Sequence, residues 1–555
     1  LYSSAASDVY KRQTEERAAD LLGKMTQEQR IGLLKNQLTS NPAATSAEEV
    51  YDEKGDVILD QLVGFTEDSE SYNAQEVLDN YVRSGVIRQY TDTETGALFN
   101  NALNMLAEYV GAVNGEVTIP YMLISNPMLS GYPYEIGFAA AVAGDGNTDA
   151  LQAWAETEAT IWDAKGIHQM YGPQIDLVTD PRWTRNNTTY GEDPELMADI
   201  ATALVTGFQH GTDGVQPGDV AVIMKHFPGD GLDDRDQHVA NSVNTFSCEE
   251  WDATFGKIYA NLIDNGLEAI MAGHIMLPSY TRAMNPDIKD DDIMPATLSK
   301  ELLTDLLKGK MGFNGMVLTD ASHMVGLTCR MKRSDMIPAA IAAGCDMFLF
   351  FNDMDEDFAS MMNGYKNGVI TDERLDDALH RILALKAHMS LHKKARTELV
   401  PPAAEMERVI GCAAHRAMQK EISEHALTLV KYKDADVLPM TPEKYRRIMI
   451  VYVTGLEAKG LGGAMKKLMG GGKNAAESLK EKLEAKGFEV TLYESPMDKI
   501  QKRIAAGEKV DFNIYFAGKD TIADFVGAQD LIITLVDVAG GFQACLLYTS
   551  PSPRD

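Results

Sequence analysis

Residues 225–238 (KHFPGDGLDDRDQH) concentrate side chains that can bind ligands, transfer protons or hold a metal ion. These are four carboxylates, two imidazoles and two cations: Asp230, Asp233, Asp234, Asp236, His226, His238, Lys225 and Arg235. The segment lacks the DxDxDG spacing of a calcium loop and a second histidine at the helical spacing used for zinc. A metal site is therefore disfavoured and no metal or cofactor is expected, whereas a catalytic loop and a solvated acidic loop both remain open.

His238 follows Asp236 by two positions. A carboxylate this close can fix the tautomer of an imidazole and raise its pKa, which suits a general acid and base near neutral pH. Gly229 and Gly231 allow unusual backbone angles and movement of the loop. The alternative is that His238 is an ordinary polar surface residue.

Asp320 ends the apolar run GMVLTD and precedes two small residues. A carboxylate at such a point is often a helix N-cap, and it can also attack an electrophilic carbon. Lys225 and His226 end another apolar run, where they either form a buried ion pair or hold a polar ligand.

Short apolar runs that alternate with helical segments are the predicted strands. They occupy residues 118–125, 168–176, 220–227, 267–275, 315–320 and 345–351. Repeated βα units with near-continuous apolar strands indicate a parallel sheet covered on both faces, and their number favours a TIM-like (β/α)8 barrel. Polar residues at the strand ends then share the face where such barrels carry active sites. These residues are Asn126, Asp176, Lys225, His226, His274 and Asp320.

Helical spacing predicts one helix over residues 15–34, with Thr26 and Gln29 placed as a capping box. Residues 40–100 are polar and weakly patterned, and short helices are expected there. An amphipathic helix over residues 371–389 is predicted to close the barrel region.

The 555-residue chain is long enough to predict two domains of α/β class. The barrel is assigned to residues 14–392, a linker to 393–425, and a C-terminally truncated second α/β domain, with the pattern of an open doubly wound sheet, to 426–543. Glycine-rich residues 455–473 lack a phosphate-binding motif and are expected to form a flexible loop. Residues 1–13 and 544–555 resemble translated adapter sequence and are excluded from the fold.

A formal net charge of −31 argues against binding to nucleic acid or to anionic membranes. The five cysteines are scattered without a CxxC pair, which favours a reducing compartment and a cytoplasmic location. Charge and composition leave the oligomeric state open, and the small-molecule or oligosaccharide substrate expected as the partner is implied only by the resemblance described next.

Seven segments together resemble glycoside hydrolase family 3, and the resemblance covers nearly all of residues 14–543. They are KMTQEQRIG, GPQIDLVTDPRWTRNNTTYGEDP, KHFPGDG, IMAGHIMLP, PATLSKELL, GFNGMVLTDASHM and AIAAGCDMFL. The resemblance implies a barrel domain followed by an α/β sandwich domain, and a retaining mechanism on β-linked sugars.

The resemblance also implies roles for individual residues. Asp320 matches the nucleophile, and the sugar-binding positions are Lys225, His226 and Arg185. The Asp236-x-His238 pair is similar to the acid/base of the β-N-acetylglucosaminidases, whereas DPRWTR is similar to β-glucosidases, so the chain is a mosaic. Asn126 stands where the family usually carries an acidic residue, and an amide there supplies no charge.

The expected function is that of a retaining, exo-acting β-glycosidase that releases terminal N-acetylglucosamine or glucose through a glycosyl-aspartate intermediate. Four alternatives stay open: β-glucosidase or β-xylosidase specificity, phosphorolysis, sugar binding without catalysis, and a metal-dependent hydrolase. Phosphorolysis is considered because a neutral imidazole does not repel an incoming phosphate as a carboxylate does.

Overall fold

The chain of the computed structural model divides into two units, residues 1–427 and residues 428–555. The structure describes residues 18–39, 65–67, 70–72, 84–87, 119, 122–125, 141, 147–350, 352–394, 399, 401–431, 437–454, 474–494, 503–504, 506–507 and 527–537. Three predictions lie outside these residues. They concern Asn126, most of the segment 40–100 and the glycine-rich loop at 455–473.

The first unit contains one large parallel sheet, and each predicted apolar run supplies a strand to it. The described strands are β1 (Lys35–Thr39), β2 (Phe65–Glu67), β3 (Glu70–Tyr72), β4 (Ser84–Ile87), β5 (Met122–Ser125), β6 (Gln169–Gln174), β7 (Ala221–Phe227), β8 (Ser242–Val243), β9 (Ala269–Ala272), β10 (Ile275–Met276), β11 (Met316–Thr319) and β12 (Phe348–Leu349). Eight of them form the sheet in the order β11-β9-β7-β6-β5-β4-β1-β12, with every neighbouring pair parallel. The prediction of an α/β fold with a parallel sheet is confirmed.

The strands read as buried apolar runs because both faces of the sheet are covered. All seven residues of β7 are buried, including Lys225 and His226 at its end. Strand β1 and strands β2 to β4 were not predicted, since KNQLT and the segment around them are mostly polar. At β2, β3 and β4 the structure has strands where short helices were expected.

Helices follow most of the strands and pack their apolar sides against the core of the first unit. The described helices are α1 (Gln27–Leu33), α2 (Asp149–Ala164), α3 (Pro194–Phe208), α4 (Cys248–Ala253), α5 (Phe255–Asp264), α6 (Pro278–Met284), α7 (Glu301–Lys310, a π-helix), α8 (Val325–Thr328), α9 (Arg333–Ala343), α10 (Met354–Lys366), α11 (Asp372–His388), α12 (Ala403–Val409) and α13 (Ala413–His425). Among the described residues, no helix combines the length and apolar character needed to cross a bilayer.

The predicted helix over residues 15–34 is interrupted. Its first part ends at Leu22, and α1 begins after Thr26, whose side chain forms the predicted capping box with Gln29. Gly23 lies in the turn between the two parts, where glycine's low helix propensity favours a break. Residues 393–425, predicted as a linker, contain α12 and α13, and each of these helices has one buried apolar residue.

The second unit contains three parallel strands in the order β14-β13-β15. Its described elements are β13 (Arg447–Thr454), α14 (Ala475–Glu484), β14 (Glu489–Leu492) and β15 (Leu531–Asp537). Helix α14 begins at a capping box formed by Asn474 and Glu477. The core of the second unit consists of Ile448, Ile450, Ala476, Leu483, Phe488 and Val490.

Candidate active site

Polar side chains meet at the carboxyl ends of four neighbouring strands of the large sheet. Asp176 follows β6, His226 ends β7, His274 follows β9 and Asp320 follows β11. In a parallel sheet these ends lie at the same edge. His226 contacts both Asp176 and Asp320, and His274 bonds the carbonyl of Ala321, the residue after Asp320.

Asp320 is held by the main chain rather than by side chains. Its N–H donates to the carbonyl of Ala272 (2.9 Å), and its Oδ1 accepts the N–H of Ala321 (2.7 Å). Its Oδ2 is buried and has no hydrogen-bond partner among the described residues. The next helix, α8, begins only at Val325, so the alternative of a helix N-cap does not apply.

The surroundings of Asp320 keep it ionised. Burial acts to raise the pKa of this carboxyl, but three nearby histidines and a backbone N–H bring it down to about 2. The histidines are His226, His274 and His238. An ionised carboxylate with one oxygen free of donors is suited to nucleophilic attack.

His226 connects Asp320 to two further residues. Its Nδ1 lies 2.7 Å from Oδ2 of Asp176, and its Nε2 accepts a hydrogen bond from Nη1 of Arg185 at 3.0 Å. The same Nε2 is 3.5 Å from Oδ2 of Asp320. Burial lowers the pKa of His226 despite the neighbouring Asp176, so the imidazole is neutral near pH 7.

Lys225 is buried beside His226 at the end of β7, and its carbonyl accepts the N–H of Ile175 (2.9 Å). Of the three predicted sugar-binding residues, His226 contacts Asp320, Arg185 contacts His226, and Lys225 precedes His226 in the same buried strand. Asn126 lies outside the described residues, although β5, which precedes it, belongs to the same sheet.

Asp236 and His238 form a dyad. Oδ1 of Asp236 lies 2.6 Å from Nδ1 of His238 and also accepts the His238 N–H (2.9 Å). The other oxygen, Oδ2, accepts the hydroxyl of Thr184 (2.5 Å). Burial acts to raise the pKa of Asp236, but these hydrogen bonds lower it well below its usual value, so Asp236 is a carboxylate. The His238 side chain is 48% exposed, which leaves the imidazole accessible to a ligand.

Main-chain hydrogen bonds attach this dyad to the segment that follows Asp320. The N–H of Val325 donates to the carbonyl of His238 (3.1 Å), and that of Gly326 donates to the carbonyl of Gln237 (2.9 Å). The side-chain oxygen of Gln237 accepts the N–H of His274 (2.7 Å). The end of the loop that carries Gln237 and His238 is therefore fixed to the segment after Asp320 and to His274.

His274 and Asp176 are site residues to which the sequence alone assigned no role. His274 donates through Nε2 to the carbonyl of Ala321 (2.9 Å), and its Nδ1 contacts the hydroxyl of Thr297 (2.8 Å). Both residues do appear among the predicted polar strand ends, and that position was the feature that could have identified them.

Gly229 and Gly231 shape the loop, as predicted. Both have positive φ angles, of 115° and 101°, which disfavour residues with a side chain. A Cβ on Gly229 would collide with the ring of Phe255, and one on Gly231 would collide with the carbonyl of Leu177.

The loop carboxylates differ in environment, and the expectation of a solvated acidic loop is wrong for Asp230. Asp230 is buried, and its Oδ1 accepts the hydroxyl of Ser242 (2.7 Å) and the N–H of Gly231 (3.0 Å). Burial and the nearby Asp176 raise the pKa of Asp230 to about 7. Asp233 pairs with Arg235 on the outer side of the loop.

Among the residues that the structure describes, no group of three or more His, Cys, Asp or Glu residues is arranged to hold a metal ion. An ionised carboxylate such as Asp320 is chemically able to act as a nucleophile, and an imidazole paired with a carboxylate, as His238 is with Asp236, is able to transfer protons.

Comparisons with known proteins show what the whole chain is similar to. The model of the glycosyl hydrolase family 3 N terminal domain matches residues 59–385, more than half of the chain. A β-N-acetylglucosaminidase/β-glucosidase of Cellulomonas fimi is 42% identical over 316 residues, which cover 57% of this chain and 54% of that protein. A β-hexosaminidase of Chromobacterium violaceum is 30% identical over 220 residues, covering 39% of this chain and 56% of that protein.

The solved structure of a β-glucoside phosphorylase bound to 2FGlc is 29% identical and has a TM-score of 0.73, covering 94% of this chain and 82% of that one. The chain spans about half the length of the two curated relatives named above. The likeness extends both to N-acetylglucosaminidases and to glucosidases. With more than half of its residues matched by the family model, this chain belongs to glycosyl hydrolase family 3.

Proposed function

We propose that this chain is a retaining, exo-acting β-glycosidase that releases a terminal β-linked N-acetylglucosamine or glucose. One observation carries the proposal. The ionised Asp320, with a donor-free Oδ2, lies in the segment to which the Asp236–His238 dyad is attached by main-chain hydrogen bonds. Nucleophile and acid/base are thus held as one unit.

The reaction proceeds in two steps. In the first, Oδ2 of Asp320 attacks the anomeric carbon while protonated His238 donates a proton to the departing glycosidic oxygen. In the second, neutral His238 takes a proton from water, which attacks the glycosyl-aspartate ester and releases the sugar with retained configuration. Asp236 orients the imidazole and stabilises its protonated form.

Lys225, His226 and Arg185 are proposed to bind sugar hydroxyls, with Asn126 as a further hydrogen-bonding position. The support for His226 and Arg185 is that Arg185 and Asp320 both approach Nε2 of His226, and the support for Lys225 is its position directly before His226 in β7. An amide at position 126 can bond a hydroxyl without adding charge.

A panel of p-nitrophenyl β-glycosides carrying glucose, N-acetylglucosamine or xylose tests the activity and identifies the sugar. We expect release from the first or the second, followed by labelling of Asp320 by the matching 2-fluoro (or 2-acetamido-substituted 5-fluoro) glycoside. The Asp320→Asn variant should lose about 10³-fold or more in kcat/KM, because its side chain is a much poorer nucleophile.

Asp233→Asn is the matched control, since Asp233 belongs to the same loop but pairs outward with Arg235. It should retain near-normal kcat/KM. Sugar binding without turnover and without labelling of Asp320 would replace the proposal by a sugar-binding protein that lacks catalysis.

Phosphorolysis is the second candidate. It is favoured by the imidazole acid/base, which carries no negative charge when neutral, and by the likeness to a structure titled as a β-glucoside phosphorylase. Products are compared with and without inorganic phosphate. A sugar 1-phosphate would establish this activity, and free sugar alone under both conditions would exclude it.

The eight parallel strands are proposed to close into a (β/α)8-type barrel, followed from about residue 426 by an α/β sandwich domain. The support for closure is that Leu318 of β11 bridges in parallel to Met347, next to β12, so the two ends of the strand order adjoin. A cytoplasmic location is proposed from the four cysteines in the described residues, which are all free thiols.

A further inference from the structure

Asp176 makes no described contact with Asp320, yet it controls the group that faces Asp320. It is fully buried. Its Oδ1 accepts the N–H of Asp230 at 2.8 Å and that of His226 at 3.4 Å, while its Oδ2 faces Nδ1 of His226 at 2.7 Å. With Oδ1 committed as an acceptor, Oδ2 of the carboxylate is also an acceptor, and Nδ1 of His226 must carry the proton.

Arg185 imposes the same assignment from the opposite side of the ring. Nη1 of Arg185 lies 3.0 Å from Nε2 of His226, and a guanidinium can only donate. Nε2 must therefore be the unprotonated nitrogen. Two neighbours thus select one neutral tautomer, with the proton on Nδ1.

This tautomer matters because Nε2 is also 3.5 Å from Oδ2 of Asp320. With a lone pair on Nε2, His226 offers no proton to the oxygen that must attack. With the proton on Nε2 instead, the ring would donate toward Oδ2 and oppose the N–H groups of Arg185. A proton donated to Oδ2 would weaken the nucleophile, and the clash with its N–H groups would displace the guanidinium of Arg185.

We infer that Asp176 is a positioning residue, which fixes the Nδ1–H tautomer of His226 and so keeps Oδ2 of Asp320 free of donors and Arg185 in place. The inference rests on the proposed function for its catalytic consequence, whereas the tautomer itself can be observed in the resting protein.

The first measurement is a long-range ¹H–¹⁵N correlation spectrum of the full chain labelled with ¹⁵N-histidine, with His226 assigned from its loss in a His226→Asn variant. We expect a protonated Nδ1 and an unprotonated Nε2. A protonated Nε2 in the unmodified protein would overturn the inference, and this result does not depend on whether any variant folds.

The second measurement uses Asp176→Asn. Because the backbone N–H groups of Asp230 and His226 require an oxygen, the amide should place its carbonyl there and point its NH₂ at Nδ1. The spectrum should then show the proton on Nε2. The rate of Asp320 labelling and kcat should fall about 10- to 100-fold, the usual effect of losing an orienting partner of a functional histidine.

The control is again Asp233→Asn, which should change neither the tautomer nor the labelling rate. An Asp176→Asn protein that changes tautomer without slowing, or slows without changing tautomer, would contradict the positioning role. Absence of labelling in the unmodified protein would instead overturn the proposed function, while leaving the tautomer assignment standing.

Discussion

At the scale of single residues, the candidate site separates two kinds of aspartate by their hydrogen bonds. Asp236 accepts from His238 and Thr184 and is ionised, and Asp320 is ionised because the neighbouring histidines and a backbone N–H hold its pKa at about 2. Asp230 lies only six positions before Asp236 but is buried near another carboxylate, and its pKa is raised to about 7. Position in the sequence therefore did not determine their roles.

His238 is predicted to matter most when the leaving group needs a proton. His238→Asn should lower kcat/KM about 10²- to 10⁴-fold for a disaccharide or alkyl glycoside. It should have much less effect on a 2,4-dinitrophenyl glycoside, which departs as a stable anion. Steady-state kinetics on both substrates measure this.

His210→Asn is the matched control, since His210 also pairs with an aspartate through Nδ1 (2.8 Å) and is similarly exposed. It should leave both rates unchanged. If His238→Asn instead lost kcat/KM equally on the two substrates, general acid catalysis by His238 would be ruled out.

Asp230 is predicted to make stability depend on pH. Its folded-state pKa of about 7 lies above the ordinary value of 3.8. Folding therefore favours the protonated form of Asp230. The stability that this form contributes to the folded protein is fully present below about pH 4 and is lost as the pH rises through 7. Asp230→Asn keeps the oxygen that accepts from Ser242 and removes this titration.

The Tm of Asp230→Asn minus that of the unmodified protein should therefore increase from pH 5 to pH 8. Thermal unfolding in buffers across this range provides the measurement. A constant difference would contradict the raised pKa, and Asp233→Asn serves as the comparison for an aspartate on the outer side of the loop.

At the scale of elements, the ends of the strands and the loops after them position the site. Residues 228–231 turn sharply after β7, and the two glycines there have positive φ angles. The turn is fixed from outside by Trp251 of α4, whose Nε1 donates to the carbonyl of Pro228 (2.8 Å). The loop is thus anchored both at its start and where it meets the segment after Asp320.

Gly231→Ala should destabilise the protein more than a positive φ angle alone explains. A Cβ at Gly231 meets the carbonyl of Leu177, whereas a Cβ at Gly218, with φ of 97°, meets nothing within 4 Å. Gly218→Ala is therefore the control for backbone strain, expected to cost about 1 kcal/mol. Chemical denaturation of both variants should show a clearly larger loss for Gly231→Ala, and equal losses would show that the turn can relax.

The strands near the site were predictable because burial on both faces makes each of them a continuous apolar run. Polar residues at their ends, including Asp320 and His226, predicted from the sequence which edge of the sheet carries the candidate site. The polar strand β1 was missed, because it lacks the apolar pattern on which the prediction depends. The pairing of Asp176 with His226 was also missed, since it joins residues 50 positions apart, and no local pattern reports such a contact.

At the scale of the whole molecule, the described residues of the proposed catalytic set lie in the first unit, within the segment matched by the family model. The overall charge of −31 gives no indication of the sugar or of a metal, because most of the acidic residues are unrelated to the site. Composition limited only the broad class of protein, whereas the candidate site was predicted from the order of the motifs and from the polar residues at strand ends.

Exhaustive treatment with EDTA should leave kcat/KM unchanged, since the proposed mechanism uses only Asp320 and the His238 dyad for chemistry. The measurement is p-nitrophenyl glycoside turnover before and after chelation, with a zinc-dependent peptidase as the positive control. Loss of activity that added divalent metal restores would favour the metal-dependent alternative.

The attachment of the dyad through Val325 and Gly326 has a consequence for directed evolution. The bond from Val325 uses only its backbone N–H, and its side chain is among the exposed hydrophobic ones, so a library at this position is expected to retain the bond to the carbonyl of His238. Gly326 offers no such freedom, because a Cβ there would lie 2.9 Å from the carbonyl of Gln237 and 3.1 Å from Cβ of His274. Of these two adjacent positions, 325 is therefore expected to tolerate substitution and 326 is not.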